Sequence, residues 1–343
     1  MIRKQRPLPA ILLLAVAATH AQAPEPQQRI TARVELVNVD VTVTDERGDF
    51  VRGLKPENFR IFDEGVEQRI SYFAPVEAPA VVLVLVETGP AVYLIHRQHL
   101  TSAYTLLEGL AADDQVALAS YDQAPRLLLP FSEDKRTVTQ ALAGLRYNLG
   151  AAELRLFDAM STALEWLAPI PGKKTLVLLS TGLDTSGGWD ALEKKLRSSD
   201  VSIYAVALGG ELRDYRGETE SPLPLGTTPL SFDEATRKLT AMAEMTGGRA
   251  WFPRRSEELE GIYRELATQL RHRYSLGFEP LVRDARYHRI HVQLVDDRGR
   301  VLGPWYDDLP DATGQHQAVK RPAKRDRIRY RLFFRRGYLA PQP

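Results

Sequence analysis

Ala80-Val81-Val82-Leu83-Val84-Leu85-Val86 is an unbroken apolar run, rich in β-branched residues and followed by Glu87-Thr88-Gly89. A strand with one wet face alternates apolar and polar residues. A strand covered on both faces need not, so this run predicts a central strand of a parallel sheet. Downstream, Leu100, Ala103, Tyr104, Leu107, Leu110 and Ala111 recur at helical spacing, and Val116 to Tyr121 reads as the next strand. Val138, Ala141, Leu142 and Leu145 mark one helix, and Phe157, Met160, Leu164 and Leu167 another. Thr175 to Leu179 then reads as a buried strand, Leu192 to Leu196 as a helical stretch and Val201 to Ala207 as a strand. Leu239, Met242 and Ala243 belong to a helix, Ala250 to Phe252 to a short strand, and Leu259, Ile262, Tyr263, Leu266 and Leu270 to a last helix with Ser256 as its N-cap. Strand and helix repeated over 79–272 predict an α/β domain with a doubly wound, mostly parallel sheet.

Outside those bounds the period changes to two, which predicts small N- and C-terminal β modules at 29–76 and 273–343. In the first, Val34 to Thr44 alternates, with a phase slip at Val37-Asn38 that reads as a bulge, and enters the turn Asp45-Glu46-Arg47-Gly48. Phe59 to Phe62 and Gln68 to Phe73, around Asp63-Glu64-Gly65, read as a hairpin. In the second, Tyr274, Leu276 and Phe278, then Ile290, Val292 and Leu294, then Ile328, Tyr330, Leu332 and Phe334 alternate with polar residues. Val295-Asp296-Asp297-Arg298-Gly299 resembles Val43 to Gly48, through either a repeat or shared hairpin chemistry.

The start of the chain follows neither pattern. Arg3, Lys4 and Arg6 precede the apolar stretch Ala10 to Ala18, and Thr19-His20-Ala21 offers small residues for cleavage. This reads as a signal peptide over 1–21 and a linker over 22–28. The apolar stretch is far shorter than the roughly twenty residues of a spanning helix. The expectation is an exported protein, periplasmic or secreted, with no transmembrane segment after signal removal. Of the 343 residues, 44% are hydrophobic and 26% charged, as in ordinary globular proteins of more than one domain. A formal net charge of +1 gives no global attraction to nucleic acid, and no such partner is expected. The absence of cysteine excludes disulfides, thiolate metal sites and a lipid anchor on cysteine.

Three stretches of the central domain resemble the von Willebrand factor A fold: Glu87-Thr88-Gly89-Pro90-Ala91 after the first strand, Leu154-Arg155-Leu156-Phe157-Asp158-Ala159 at a helix opening, and Leu178-Leu179-Ser180-Thr181-Gly182-Leu183-Asp184 after a later strand. The flanks add Gly53-Leu54-Lys55-Pro56-Glu57-Asn58-Phe59, Phe62-Asp63-Glu64-Gly65 and Arg335-Arg336-Gly337-Tyr338, which are similar to an exported von Willebrand A-related family of acidobacteria. That resemblance implies a metal-ion-dependent adhesion site at the carboxyl ends of the strands, where hydroxyls and carboxylates give a hard cation its oxygens. The family's pattern there is Asp-x-Ser-x-Ser, a loop threonine and an Asp-Gly turn. This chain has Glu87, Gly89 and Ala91 in the first, Leu154 at the threonine and Thr181 at the aspartate. The expectation is a degenerate site with no cofactor. A residual Mg or Ca site on Glu87, Thr88, Thr181 and Asp184 is the alternative.

Between Gly209 and Ser231 a long segment rich in Gly, Pro, Ser and Thr carries Arg213 and Tyr215, residue types that dominate binding hot spots. These two are the candidates for contact with a partner. The tail Lys320 to Arg336 holds nine basic residues against Asp326, read as either a polyanion patch or the solvent face of a strand. His96 and His99 lack a nearby third ligand, and His288 and His291 point to opposite faces of a strand. No phosphate-loop, nucleophile-elbow or zinc motif occurs, and no catalytic residue is assigned. The sequence therefore reads as a metal-independent binding module for a protein partner in the envelope or outside the cell. A metal-dependent adhesion module for an acidic partner is the first alternative, and a hydrolase with a spatially assembled site the second.

Overall fold

The computed structural model describes residues 36–93, 96–148, 153–209, 231–255, 257–303 and 330–342. They belong to one compact unit that runs from residue 35 to the end of the chain. The expected signal peptide and linker, Ser256, Arg213, Tyr215 and most of the basic tail lie outside the described residues.

The chain opens with strands β1 (Val37–Thr44), β2 (Phe59–Asp63), β3 (Val66–Gln68) and β4 (Ile70–Glu77). It then enters the α/β domain through β5 (Val81–Glu87), α1 (Pro90–Tyr93), α2 (His96–Gly109), β6 (Gln115–Tyr121), β7 (Pro125–Ser132), α3 (Lys135–Ala143) and α4 (Leu156–Leu167). The domain continues with β8 (Lys174–Ser180), α5 (Trp189–Ser198), β9 (Val201–Ala207), α6 (Phe232–Thr246), β10 (Ala250–Trp251) and α7 (Glu257–Arg271). Strands β11 (His272–Phe278), β12 (Tyr287–Val295), β13 (Val301–Gly303), β14 (Arg331–Phe333) and β15 (Gly337–Leu339) follow.

The central sheet has six strands in the order β10-β9-β8-β5-β6-β7. All pairs are parallel except β6 with β7. Alternation on β5 shows why the sequence run had to be apolar throughout. Val82, Val84 and Val86 pack with α2, α3 and α7, whereas Leu83 and Leu85 pack with α4, α5 and α6. Each such fully buried side chain contributes roughly 1.5–3 kcal/mol. Strand order reverses between β5 and β8, so the carboxyl ends of these two strands form the switch point of the sheet. The edge strand β7 has no counterpart in the sequence reading. Pro125 and Pro130 interrupt its pattern, and Leu127 and Leu128 are exposed, both of which an edge position tolerates.

The two terminal β segments, read from the sequence as an N-terminal and a C-terminal module, are hydrogen-bonded to each other. β1 lies between β11 and β14, and β2 pairs with β12. The resulting sheets, β14-β1-β11-β4 and β13-β12-β2-β3 with β15 on β12, enclose a shared core of Val39, Val41, Val43, Ile61, Leu276, Phe278 and Val292. Two expectations need correction. β1 alternates without a slip from Val37, and its pairing with β11 is continuous, so the phase change at Val37-Asn38 is not a bulge. The strand after Gln68 pairs with β11 rather than closing a hairpin on β2.

The resembling turns at Asp45 and Asp296 are built alike. In each, the carboxylate accepts from the backbone N–H two and four residues on, and the glycine three residues on has positive φ. Shared turn chemistry accounts for the likeness. The two flanking motifs also meet in space. Buried Asp63 accepts from the Tyr338 hydroxyl at 2.9 Å and faces His288 Nδ1 at 2.9 Å, whose Nε2 faces Asp284 at 3.1 Å. Glu64 takes the Arg289 N–H at 2.6 Å. Motifs far apart in sequence thus meet where the end of β2 contacts β12 and β15.

Candidate functional site

Strand register brings the site together. Glu87 on β5 sits opposite Tyr121 on β6, and one step past the Val86–Leu179 pair it neighbours Ser180 on β8. These three residues share the parity of Leu85, Ala119 and Leu178, so they extend the face covered by α4, α5 and α6 to the carboxyl end of the sheet. Glu87, Thr88, Ser180 and Thr181 are fully buried, as is Tyr121.

The Glu87 carboxylate accepts from four groups. The Thr181 N–H donates to Oε2 at 2.7 Å, the Thr181 hydroxyl at 2.8 Å, the Ser180 hydroxyl at 3.0 Å and the Tyr121 hydroxyl at 3.1 Å. Ser180 Oγ in turn accepts from the Gly182 N–H at 2.8 Å and lies 2.6 Å from the Tyr121 oxygen. Burial raises the Glu87 carboxyl above its ordinary value, and the hydrogen bonds from Thr181, Ser180 and Tyr121 oppose that shift. Burial and the neighbouring Glu87 charge raise Tyr121 well above the usual phenol. The additional methylene of glutamate lets the carboxylate reach across to β8.

Leu154 roofs this network. It is fully buried, clusters with Leu183, Ala235 and Phe232, and has its backbone pinned at both N–H and C=O by Thr185. A Cβ at Gly89 would come within 2.6 Å of Leu154 Cδ2, so the glycine makes room for the leucine. Thr88 ties strand ends together, donating its hydroxyl to the Tyr121 carbonyl at 3.1 Å. The side chain of Ala91 lies outside the described residues.

This donor set does not fit a hard cation. Gly89 has no side-chain oxygen, Leu154 closes the place of the loop threonine, and the oxygens of Glu87 and Thr181 face each other. Asp184 stands apart from them. Its Oδ1 accepts the Phe157 N–H at 3.0 Å in the first turn of α4, and its Oδ2 accepts the N–H groups of Ser186 and Gly187. It is a helix-capping and turn residue.

Beside the roof, a cleft of about 340 Å³ is lined by Asp184, Ser186, Gly187, Ser231, Glu234 and Lys238. Lys238 Nζ lies 3.9 Å above the ring of Trp189. Ser231, on this cleft, is the N-cap of α6 and accepts from the Glu234 N–H, while Arg213 and Tyr215 lie outside the described residues. The structure therefore gathers Glu87, Thr88, Gly89, Leu154 and Thr181 and sets Asp184 apart. Sequence reasoning missed Tyr121 and Ser180. Their signal was available, since each is the last residue of an apolar strand and carries a hydroxyl at its carboxyl end.

No protein-family model matches the sequence, and no curated protein matches it. Among solved structures, the chain is similar to an aerotolerance-related membrane protein from Bacteroides fragilis, at 17% identity and TM-score 0.43, over 55% of this chain and 98% of that one. It is similar to BatB from Bacteroides thetaiotaomicron at 14% and 0.40, over 55% and 98%. A von Willebrand factor type A protein from Catenulispora acidiphila gives 12% and 0.44, over 71% of each chain. The fold itself is carried by the order of the strands: a doubly wound, mostly parallel, von Willebrand A-like sheet flanked by antiparallel sheets.

Proposed function

We propose that the chain is an exported protein-interaction module that works at the carboxyl rim of its α/β domain without a metal ion, as a member of the acidobacterial von Willebrand A-related family whose adhesion site is degenerate. The observation that carries this reading is the Glu87 carboxylate. It is enclosed by hydroxyl and amide donors from its own chain and roofed by Leu154, so it has no face for a bridging cation. Recognition then falls to the surface around the roof and the cleft between Asp184 and Lys238, with Arg213 and Tyr215 as the further candidates from the sequence. No catalytic role is assigned to any of these residues.

Two measurements test the reading. Thermal unfolding of the mature protein with Mg²⁺, Mn²⁺ or Ca²⁺ should match that in chelator, because only a ligand of the native state raises the midpoint. An upward shift that disappears in Glu87→Ala would overturn metal independence. Crosslinking capture from envelope extract should survive chelator and weaken in Lys238→Glu and in Arg213→Ala/Tyr215→Ala. Capture indifferent to both variants would place the contact surface elsewhere.

A further inference from the structure

At the opposite end of the sheet the polar face of β1 and β11 is turned toward the starts of β8 and β9. Asn38, Asp40 and Thr42 alternate with the core valines of β1, and the register sets Asp40 against Ser275, with Arg273 two residues away on the same face. Lys173, just before β8, and Asp200, just before β9, close the other side of a crevice of about 300 Å³.

Its charges are unequal. The Lys173 side chain is only 14% exposed and that of Arg273 only 13%, yet they share one carboxylate, Asp40, at 3.5 and 3.0 Å. Arg273 Nε is buried and lies off the line of a hydrogen bond. The second acid, Asp200, is held by Lys174 at 2.7 Å. Arg335, on the same crevice, donates to the carbonyls of Gly337 and Arg197 and has no carboxylate partner among the described residues. The Ser202 and Ser275 side chains supply further polar groups to the lining. A buried cation without a matching anion is costly, so such a site gains from an anion that brings several acceptor oxygens.

We infer that this crevice is a binding site for a phosphate group, held by Lys173 and Arg273 with Arg335 beside them. The volume exceeds that of a bare ion and leaves room for a small ester. The charge state of Lys173 fits the imbalance: burial pulls its ammonium down to about 8, with Asp40 opposing the shift and Arg273 adding to it. A bound dianion reverses that effect. The inference is independent of the carboxyl rim, because it concerns the other end of the sheet.

The experiment is thermal unfolding and calorimetric titration of the full chain at constant ionic strength with inorganic phosphate, sulfate, glycerol 3-phosphate, acetate and chloride. Phosphate, sulfate and the ester should each raise the midpoint saturably, by about 3 °C at large excess, whereas acetate and chloride should not. A larger response to the ester marks an organic phosphate as the ligand, and a larger response to the ion marks free phosphate. Lys173→Gln, which leaves Arg273 and Asp40 as a matched pair, should raise the midpoint in chloride at neutral pH by removing a costly buried charge and should lose the response to phosphate, and Lys173→Arg should restore that response. Sulfate keeps its charge with pH, so its affinity for the unaltered protein should fall by about tenfold between about pH 7 and about pH 9.5, as Lys173 is discharged. No response to phosphate or sulfate, an equal response to acetate, or a response unchanged in Lys173→Gln would each overturn the assignment.

Discussion

The two ends of the parallel sheet treat buried charge in opposite ways. At the carboxyl end a lone carboxylate, Glu87, has no cation beside it among the described residues and is instead enclosed by Thr181, Ser180 and Tyr121. At the amino end two buried cations, Lys173 and Arg273, share the single carboxylate of Asp40. Asp114 shows what a completed site at that end looks like: it takes the N–H groups of Ala80 and Ala111, both at 2.7 Å, and pairs with Arg271 at 2.6 Å. Ligands of open α/β sheets usually come to the carboxyl ends. Here that end is saturated from within, and unmatched donors remain at the other. Availability in a fold follows the local balance of donors and acceptors, not topology alone.

The largest expected effect comes from removing the roof. Leu154→Ala deletes a fully buried side chain whose neighbours, Leu183 and Ala235, belong to different elements and cannot readily collapse onto the space. Denaturant unfolding should show a loss of about 3 kcal/mol. A loss well under about 1 kcal/mol would mean that the carboxyl end is open to water and the contrast between the ends is false. Next in size is Asp40→Ala, which strips both amino-end cations of their shared partner. The loss should be about 2 kcal/mol, less than for a fully buried pair because a third of the Asp40 side chain is exposed. Added sulfate should recover part of it. If the variant is as stable as its parent, the crevice is solvated and its charges need no partner.

These two ends were unequally legible in the sequence. The fold of the domain could be read because burial on both faces of β5, β8 and β9 confines their polar residues to the strand ends, which makes the runs at Val82, Leu176 and Ile203 unmistakable. β7 was missed because an edge strand is under no such constraint, and its prolines read as loop. At the carboxyl end the substitutions Glu87, Gly89, Leu154 and Thr181 could be seen one by one. That they compensate one another could not, because the Leu154–Gly89 contact and the Tyr121–Glu87–Ser180 row depend on register. The amino-end crevice left no local trace. Asp40, Lys173 and Arg273 are isolated in sequence and meet only because β1 and β11 pair across the whole domain.

The smallest effect in acid, and the sharpest test of the comparison, is Glu87→Gln. The amide replaces a carboxyl that accepts hydrogen bonds without a counter-charge, so near pH 5 the change should stay within about 1 kcal/mol. Its pH dependence carries the information. The folded Glu87 value lies above the ordinary 4.5, so between the two the native state holds more protons than the unfolded chain, and stability falls as pH rises through that window. The variant should lack this fall and gain on its parent as pH increases. Lys173 has the reverse sign. Its folded value of about 8 lies below the ordinary 10.5, so the native state holds fewer protons in that interval and stability rises with pH across it. In midpoints measured across both windows, Glu87 should therefore contribute a downward slope in acid and Lys173 an upward slope in alkali, each read as the difference between the variant and its parent. Glu87→Gln should flatten only the first slope and Lys173→Gln only the second. If either substitution leaves its own slope in place, the unmatched charge assigned to that end lies elsewhere.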